Sequence, residues 1–477
     1  MENTIKISNS LRRGEKELLE PINSGQIKMY VCGPTVYDEP HIGHARSAYI
    51  FDVIRRYLIY RGYKVTFVRN VTDVDDKIID RARKESPNED LIEAVKKIST
   101  KYLYAYHNDM KSLGIMDPDV EPKATEYIDK MIEFIRNLIN RGIAYESDGD
   151  VYFDIKKAKN YGKLSNQSID KMESGARVLA GENKKDPLDF ALWKSAKEGE
   201  PSWDSPWGKG RPGWHIECSV MSSDILGDRF DIHGGGIDLI FPHHENEIAQ
   251  SEGAGKEFAK YWIHHGLLTI NGQKMAKSLG NFVTIKEVLS KYPADILKIF
   301  YLQANYSNPI DFSWEKMEEV KQGYEHINIL MQKLDRLFGT RDIGKVIHGG
   351  AGDIGKFKNK FIEYMDDDFN TPRGLSVLFE MVKNCNKLLE SDEKYKNFIL
   401  NYAMDIIKEI ADIFGLTFLQ ISSGEMSDDQ IKFHIAARSA YKKDKKFKEA
   451  DEIRKNLEEK GVILEDTKEG TTWRRKL

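Results

Sequence analysis

The sequence predicts an α/β protein: a parallel-sheet domain carrying an insertion, then an α-helical bundle, then a small basic α/β module. Three observations predict it. Residues 27–68 read strand, loop, helix, strand; a second strand followed by three glycines begins at Arg229; and beyond Ser313 the apolar residues recur at helical spacing. At 477 residues the chain has room for two to four domains. The changes of pattern divide it at 1–312, with the insertion at roughly 110–215, then 313–425 and 426–477.

Ile27, Met29 and Val31 alternate with Lys28, Tyr30 and Cys32, the period of a half-buried strand. Ala48, Phe51, Ile54 and Leu58 put one apolar face on a helix from Ala45 to Arg61, and Gly62 ends it. Val65 to Val68 is the next strand. The unit is therefore a parallel crossover whose loop opens at the carboxyl edge of the sheet, where ligands bind in such folds. That loop holds His41, Gly43 and His44 at a helix N-terminus, whose unpaired N–H groups and positive dipole end attract phosphate. Gly43 leaves room for a base or sugar. Taken alone, the turn equally suits two capping histidines.

Asp73, Asp75 and Asp76 follow; they suit a divalent cation or a solvated loop, and no ligand is assigned among them. Ile128, Met131, Ile132, Ile135, Leu138 and Ile139 trace a helical face, and Val151, Phe153 and Ile155 alternate as a strand. Asn160 to Gly213 is a polar insert whose Trp203 and Trp207 read as packing residues. The sheet resumes at Arg229 to His233. Gly234, Gly235 and Gly236 then permit close approach of a flat ligand such as adenosine, with Asp238 available for a hydroxyl. No GxxxxGK[ST] loop occurs and no GxGxxG run follows a strand, so a nucleotide falls to the histidine turn and these glycines.

Phe241 to Ile248 opens a helix on which His243 and Glu247, four apart, share a face and can grip one ion. His244 or Glu245 offers the same chemistry. Cys32 and Cys218, expected at two strand ends, would add thiolates, and two sulfurs, a nitrogen and a carboxylate suit tetrahedral zinc better than magnesium or calcium. Asn271 to Asn281 is a loop hinged by Gly272 and Gly280, in which Lys274 and Lys277 can close over a triphosphate; taken alone, the pair also suits a solvated loop. Ser313 to Phe338 and Asn370 to Leu416 are helical, with Thr371 as a cap, Pro372 at the first helical position and Cys385 in the core. Gly349 to Gly355 is a loop between helices. Helices at Asp428–Tyr441 and Phe447–Lys460 and one short strand complete the chain.

Hydrophobic content of 40% and charged content of 31% disfavour disorder and membrane classes. No apolar run reaches the length of a signal peptide or a membrane span. Three cysteines cannot build a disulfide framework, which points to a reducing cytoplasm. The net charge of −4 argues against a general polyanion binder, but Lys432 to Leu477 holds 14 Lys and Arg against 9 Asp and Glu. The tail is the basic part.

The run ending His41-Ile42-Gly43-His44 resembles the HIGH signature of class I aminoacyl-tRNA synthetases, and Lys274-Met275-Ala276-Lys277-Ser278 resembles their KMSKS signature, with Ala276 in place of the usual serine. Tyr30 to Asp38, reading YVCGPTVYD, resembles the cysteinyl-tRNA synthetase family specifically, and the likeness runs nearly end to end. It implies a Rossmann-type catalytic domain, a DALR-like bundle on the stem side of the tRNA and an anticodon-binding module. It implies one zinc per subunit on Cys32, Cys218, His243 and Glu247, with Trp214 and Cys32 at the amino-acid pocket. ATP, with magnesium, would meet His41, Gly43, His44, Gly234, Gly235, Gly236, Asp238 and Lys277; His41, His44, Lys274 and Lys277 would carry the catalysis. The insert would face the acceptor end of the RNA. Trp473, a stacking candidate, with Arg474 and Arg475 would contact tRNA(Cys). The implied enzyme is a cytoplasmic, membrane-free monomer that joins L-cysteine to tRNA(Cys). A cysteine ligase with a small amino-sugar acceptor is argued against by the basic tail, and a noncatalytic zinc-stabilised RNA-binding protein by the intact histidine and lysine pairs.

Overall fold

The computed structural model describes residues 4–168, 184–339, 354–418, 428–467 and 470–475. They form two compact units, one of Met1–Lys316, Phe361–Leu375 and Ile413–Gly415, the other of Met317–Lys360, Ser376–Asp412 and Leu416–Leu477. Among the described residues no helix is long and apolar enough to cross a membrane.

The first unit is built on a wholly parallel sheet whose four strands lie in the order Phe258–His265, Arg229–Gly236, Gln26–Val31, Lys64–Arg69. The expected crossover is there: helix Ile42–Tyr60 joins the last two strands, and Gly62 ends it at φ 90°. The three glycines, expected after a strand, are its last three residues. Register sets Val68, Tyr30, His233 and Trp262 side by side across the sheet. With a strand period of two they share a face, and the rings touch in series, 5.3 Å between Tyr30 and His233 and 4.3 Å between His233 and Trp262. Gly234 faces the other way. A Cβ there would collide with the ring of Phe51, so this glycine lets helix Ile42–Tyr60 lie close on the strand.

The insertion holds more regular structure than its polar composition suggests. Helix Ile128–Asn140 packs by Ile135 and Leu138 onto a four-stranded antiparallel sheet of Ala144–Ser147, Asp150–Phe153, Phe190–Ser195 and Gly210–Pro212. Only the second of those strands was expected, and Ile155 falls beyond it. The acidic run ties this insertion to the sheet. Asp73 accepts from Thr125 N and Oγ1 at 3.0 and 2.6 Å, Asp75 caps the next helix, and Asp76 pairs with Lys194 at 3.0 Å and with Arg211.

Helix Thr371–Leu389 is capped by Asn370, whose Oδ1 accepts from Arg373 N at 3.3 Å, one residue before the expected Thr371. The expected glycine loop at 349–355 lies mostly outside the described residues. The terminal module pairs helices Asp428–Lys443 and Phe447–Glu459 with a hairpin, Val462–Thr467 against Gly470–Arg475, where one strand was expected. Its core is Ile431, Leu457, Val462, Leu464 and Trp473. Trp473 is only 9% exposed, with the Arg336 guanidinium 4.0 Å from its ring centre. It is a core residue, not the open stacking platform the sequence suggests, because the hairpin turns it inward. Arg474 and Arg475 continue the strand opposite Ile463 and Val462.

Replacing Gly234 with Ala should cost about 2 kcal/mol, since the added methyl meets a buried ring in a packed core. Urea unfolding reads the effect, and an unshifted midpoint would refute the tight helix–strand contact.

Candidate active site

The histidine turn is a reciprocal helix cap. His41 Nδ1 accepts from Gly43 N at 3.1 Å and His44 N at 3.3 Å, while His44 Nδ1 accepts from His41 N at 3.3 Å. The rings stack with centres 3.7 Å apart. A Cβ on Gly43 would lie 2.9 Å from the His41 ring, so the glycine admits the folded-back cap. The capping reading and the ligand reading are thus compatible. An accepting Nδ1 puts the proton on Nε2, and no described residue takes either Nε2. Burial, and for His41 also its neighbour His44, holds the rings neutral, at about 2 for His41 and about 4 for His44.

The lysine loop lies against this turn. Ile42 N donates to Val283 O at 3.2 Å and Ile285 N to Pro40 O at 3.3 Å, and Met275 reaches Gly43. Inside the loop Asn281 accepts from Ala276 N at 2.8 Å and donates to Lys274 O at 3.1 Å. Lys277 is paired with Asp38, and Lys274 is exposed.

Cys32, Cys218, His243 and Glu247 converge: their ligand atoms all lie within 4.8 Å of one another. Cys32 Sγ is 3.7 Å from Cys218 Sγ and 3.8 Å from Glu247 Oε1, which is 3.1 Å from His243 Nε2. Two placements differ from expectation. Cys218 sits on helix Trp214–Leu226, not at a strand end, and helix Glu245–Gly253 is preceded by a π-helical turn, Ile240–His244, that carries His243 and is kinked where Phe241 is extended. Of the open alternatives, Glu245 is spent on the amides of Gly162, Leu164 and Ser165. His244 belongs to a second set with Cys32, His233 and Glu247. Burial, with Cys218 as the next cause, pushes the Cys32 thiol well up, burial does the same to Glu247, and it keeps His243 neutral. A pocket of buried acids whose basic neighbours are neutral imidazoles fits a soft divalent cation.

Trp214 stacks on His243 at 4.2 Å and is 39% exposed, so it adjoins the donor set from the open side. The glycines divide their work differently from the expectation. The space at Gly234 is taken by Phe51, and a Cβ at Gly235 would sit 2.8 Å from His244, so neither offers a bare surface to a flat ligand. Gly236 adjoins the exposed Asp238.

Sequence reasoning offered His244 only as an alternative ligand and missed the other histidines around the donor set, His215, His233 and His264. His215 Nδ1 is 2.9 Å from His243 Nδ1, His233 Nε2 is 2.8 Å from Glu247 Oε2, and His244 joins Cys32, at 3.2 Å, to His264, at 2.8 Å. The period-two spacing of Tyr30 with Cys32 and of Trp262 with His264 was the available signal; the register that brings them together was not.

Residues 18–322 match the family model described as the tRNA synthetases class I (C) catalytic domain, 360–419 a DALR domain and 435–474 the cysteinyl-tRNA ligase anticodon binding domain. The chain is 49% identical over 494 residues to a cysteine–tRNA ligase of Sulfurihydrogenibium sp. (99% of this chain, 100% of the relative). It is 48% identical over 474 residues to that of Geobacillus thermodenitrificans, covering 99% of each. Among solved structures, the Mycobacterium tuberculosis methionyl-tRNA synthetase in complex with methionyl-adenylate shares the fold at a TM-score of 0.62 and 14% identity, over 82% of this chain and 90% of that one. Fold, donor cluster and near-half identity over almost the whole length lead to one conclusion: the chain belongs to the cysteinyl-tRNA synthetases of class I.

Proposed function

We propose that the chain activates L-cysteine with ATP to the cysteinyl-adenylate, releasing diphosphate, and transfers the cysteinyl group from it to the terminal ribose of tRNA(Cys), releasing AMP, with Cys32, Cys218, His243 and Glu247 holding one zinc ion. The observation that carries this reading is the convergence of two thiols, an imidazole and a carboxylate at the sheet edge that also bears the histidine turn. Bound there, zinc would take the substrate sulfur as a thiolate, a ligand that a serine hydroxyl supplies poorly. The set with Cys218 and His243 is favoured because Trp214, 39% exposed, stacks on His243 and so gives that set an open side. Trp214 and Cys32 would line the amino-acid pocket.

The rest of the chemistry needs no protein nucleophile. The substrate carboxylate attacks the α-phosphorus of magnesium-bound ATP, and diphosphate leaves. Neutral His41 and His44 donate Nε2–H to phosphate oxygens, Lys274 and Lys277 neutralise the charge that gathers on the leaving diphosphate, and Asp238 beside Gly236 takes a ribose hydroxyl. The terminal module receives the anticodon with Arg474 and Arg475, while Trp473 supports it from within. The enzyme works as a monomer in the cytoplasm.

Cysteine-dependent ATP–diphosphate exchange, with serine as control and metal content by atomic emission, tests the reading. Exchange with cysteine alone and about one zinc per chain is the expected result; exchange without zinc would remove the metal from it. Cys218→Ser should lower bound zinc below one per chain and narrow the gap between cysteine and serine. Lys277→Ala should reduce the exchange rate about 100-fold.

Acid stability follows from burial. Six histidines, His41, His44, His215, His233, His264 and His265, are held at about 2, 4, 3, 3, 3 and 4, each chiefly by burial. Their folded values lie below the free value of about 6.5, so as pH falls through that value the unfolded chain takes up protons that the folded chain refuses. Their contribution is full above about pH 6.5 and shrinks below it. The thermal midpoint should therefore fall between pH 7 and pH 5, and a flat midpoint would contradict the neutral cluster.

A further inference from the structure

Lys277 is held at the histidine turn by an ion pair. Its ammonium pairs with the Asp38 carboxylate, three residues before His41, and lies 4.8 Å from the ring centre of Phe282, whose edge meets His41 at 5.3 Å. The carboxylate is only 14% exposed, against 50% for the lysine side chain. A second cation stands behind it: Arg81 Nη2 is 3.8 Å from Asp38 Oδ1, and Arg81 is itself fixed by Glu85 at 2.6 Å and the Tyr102 hydroxyl at 2.9 Å. Glu39, next in the chain, pairs with Lys286 at 2.7 Å just beyond the loop. Two adjacent acids of the histidine-turn loop thus hold two lysines of the lysine-loop segment.

We propose that Asp38 is a positioning residue: its carboxylate keeps the Lys277 ammonium at the histidine turn and yields it to the triphosphate when nucleotide binds. The inference rests on the role assigned above to Lys277. An ammonium pairs with one anion group at a time at full strength, and a triphosphate carries more charge than a carboxylate. Arg81 stays with Asp38 after the exchange, so the half-buried carboxylate is not left unpaired. A lysine held at its station has already lost much of the rotamer freedom that closure would cost. Asp38 is also a competitor of the phosphates, so its removal relieves ground-state repulsion while it frees the Lys277 side chain.

The test is Asp38→Asn in the full-length enzyme, with Asp38→Glu as the conservative variant. Tethering of the Lys277 side chain is read by trypsin cleavage after Lys277, located by mass spectrometry, and activity by cysteine-dependent exchange. The asparagine variant should lower kcat about tenfold with no rise in KM for ATP. It should be cut faster after Lys277 than the parent in the absence of ATP, and Asp38→Glu should restore both readings. In a Lys277→Ala background, Asp38→Asn should lower kcat no further, since the group it positions is gone. Multiplying effects in the double variant, or an unchanged cleavage rate in Asp38→Asn, would overturn the proposal while leaving Lys277 in its role. Full activity in Lys277→Ala alone would overturn both.

Discussion

Tyr30, His233 and Trp262 occupy one row across three parallel strands, and the period of two places Cys32, Gly235 and His264 in the next row on the same face. The middle member of that second row has no side chain. The gap is filled from above by His244, which reaches Cys32 on one side and His264 on the other. One residue earlier, Gly234 opens the opposite face to Phe51 and so seats the helix that begins with the histidine turn. Two neighbouring glycines therefore bring the donor cluster and the histidine turn to one sheet edge. Either side chain, added, would push one of the two away from the other.

The cap of helix Ile42–Tyr60 shows what the site demands of that edge. Ser, Thr, Asp or Asn caps a helix better than histidine does. An aspartate would set a negative charge where phosphate is to lie, and a serine hydroxyl is too short to cap and reach outward together. Imidazole has two nitrogens on opposite sides of the ring: Nδ1 closes the helix, and Nε2 is left as a neutral donor. Burial keeps both rings uncharged, so the turn offers directed N–H groups, and the mobile positive charge comes from the lysine loop.

Much of this was legible in the sequence, for identifiable reasons. His243 and Glu247 were legible because a four-residue spacing puts them on one helical face, and the histidine and lysine pairs because each lies within a short contiguous run. Cys218 was recognised but placed at a strand end, since nothing local separates the start of helix Trp214–Leu226 from the polar insert before it. Three of the four strands of the insertion's antiparallel sheet were missed because the strands are three to six residues long and the last two, Phe190–Ser195 and Gly210–Pro212, lie far along the chain from the first pair. The histidine shell and the duties of Gly234 and Gly235 depend on register between strands some two hundred residues apart, which no local pattern encodes. Trp473 misled for the opposite reason: basic neighbours in sequence suggested an open platform, but strand alternation turned the ring inward.

Ala276 raises a question of stiffness that the loop answers with a different residue. A hydroxyl at that position is lost, yet the side-chain amide of Asn281 spans the loop, accepting from the amide of Ala276 and donating to the carbonyl of Lys274. One planar group thereby fixes the backbone around the first lysine and leaves the second free to choose its partner. The segment after the loop is bonded to the histidine turn through Val283 and Ile285. Stiffness thus lies in the backbone at the base of the loop, and freedom in the four-carbon stem of Lys277. Such a division suits an exchange of ion-pair partners, because the ammonium can change anions by rotamer motion alone while the loop stays folded.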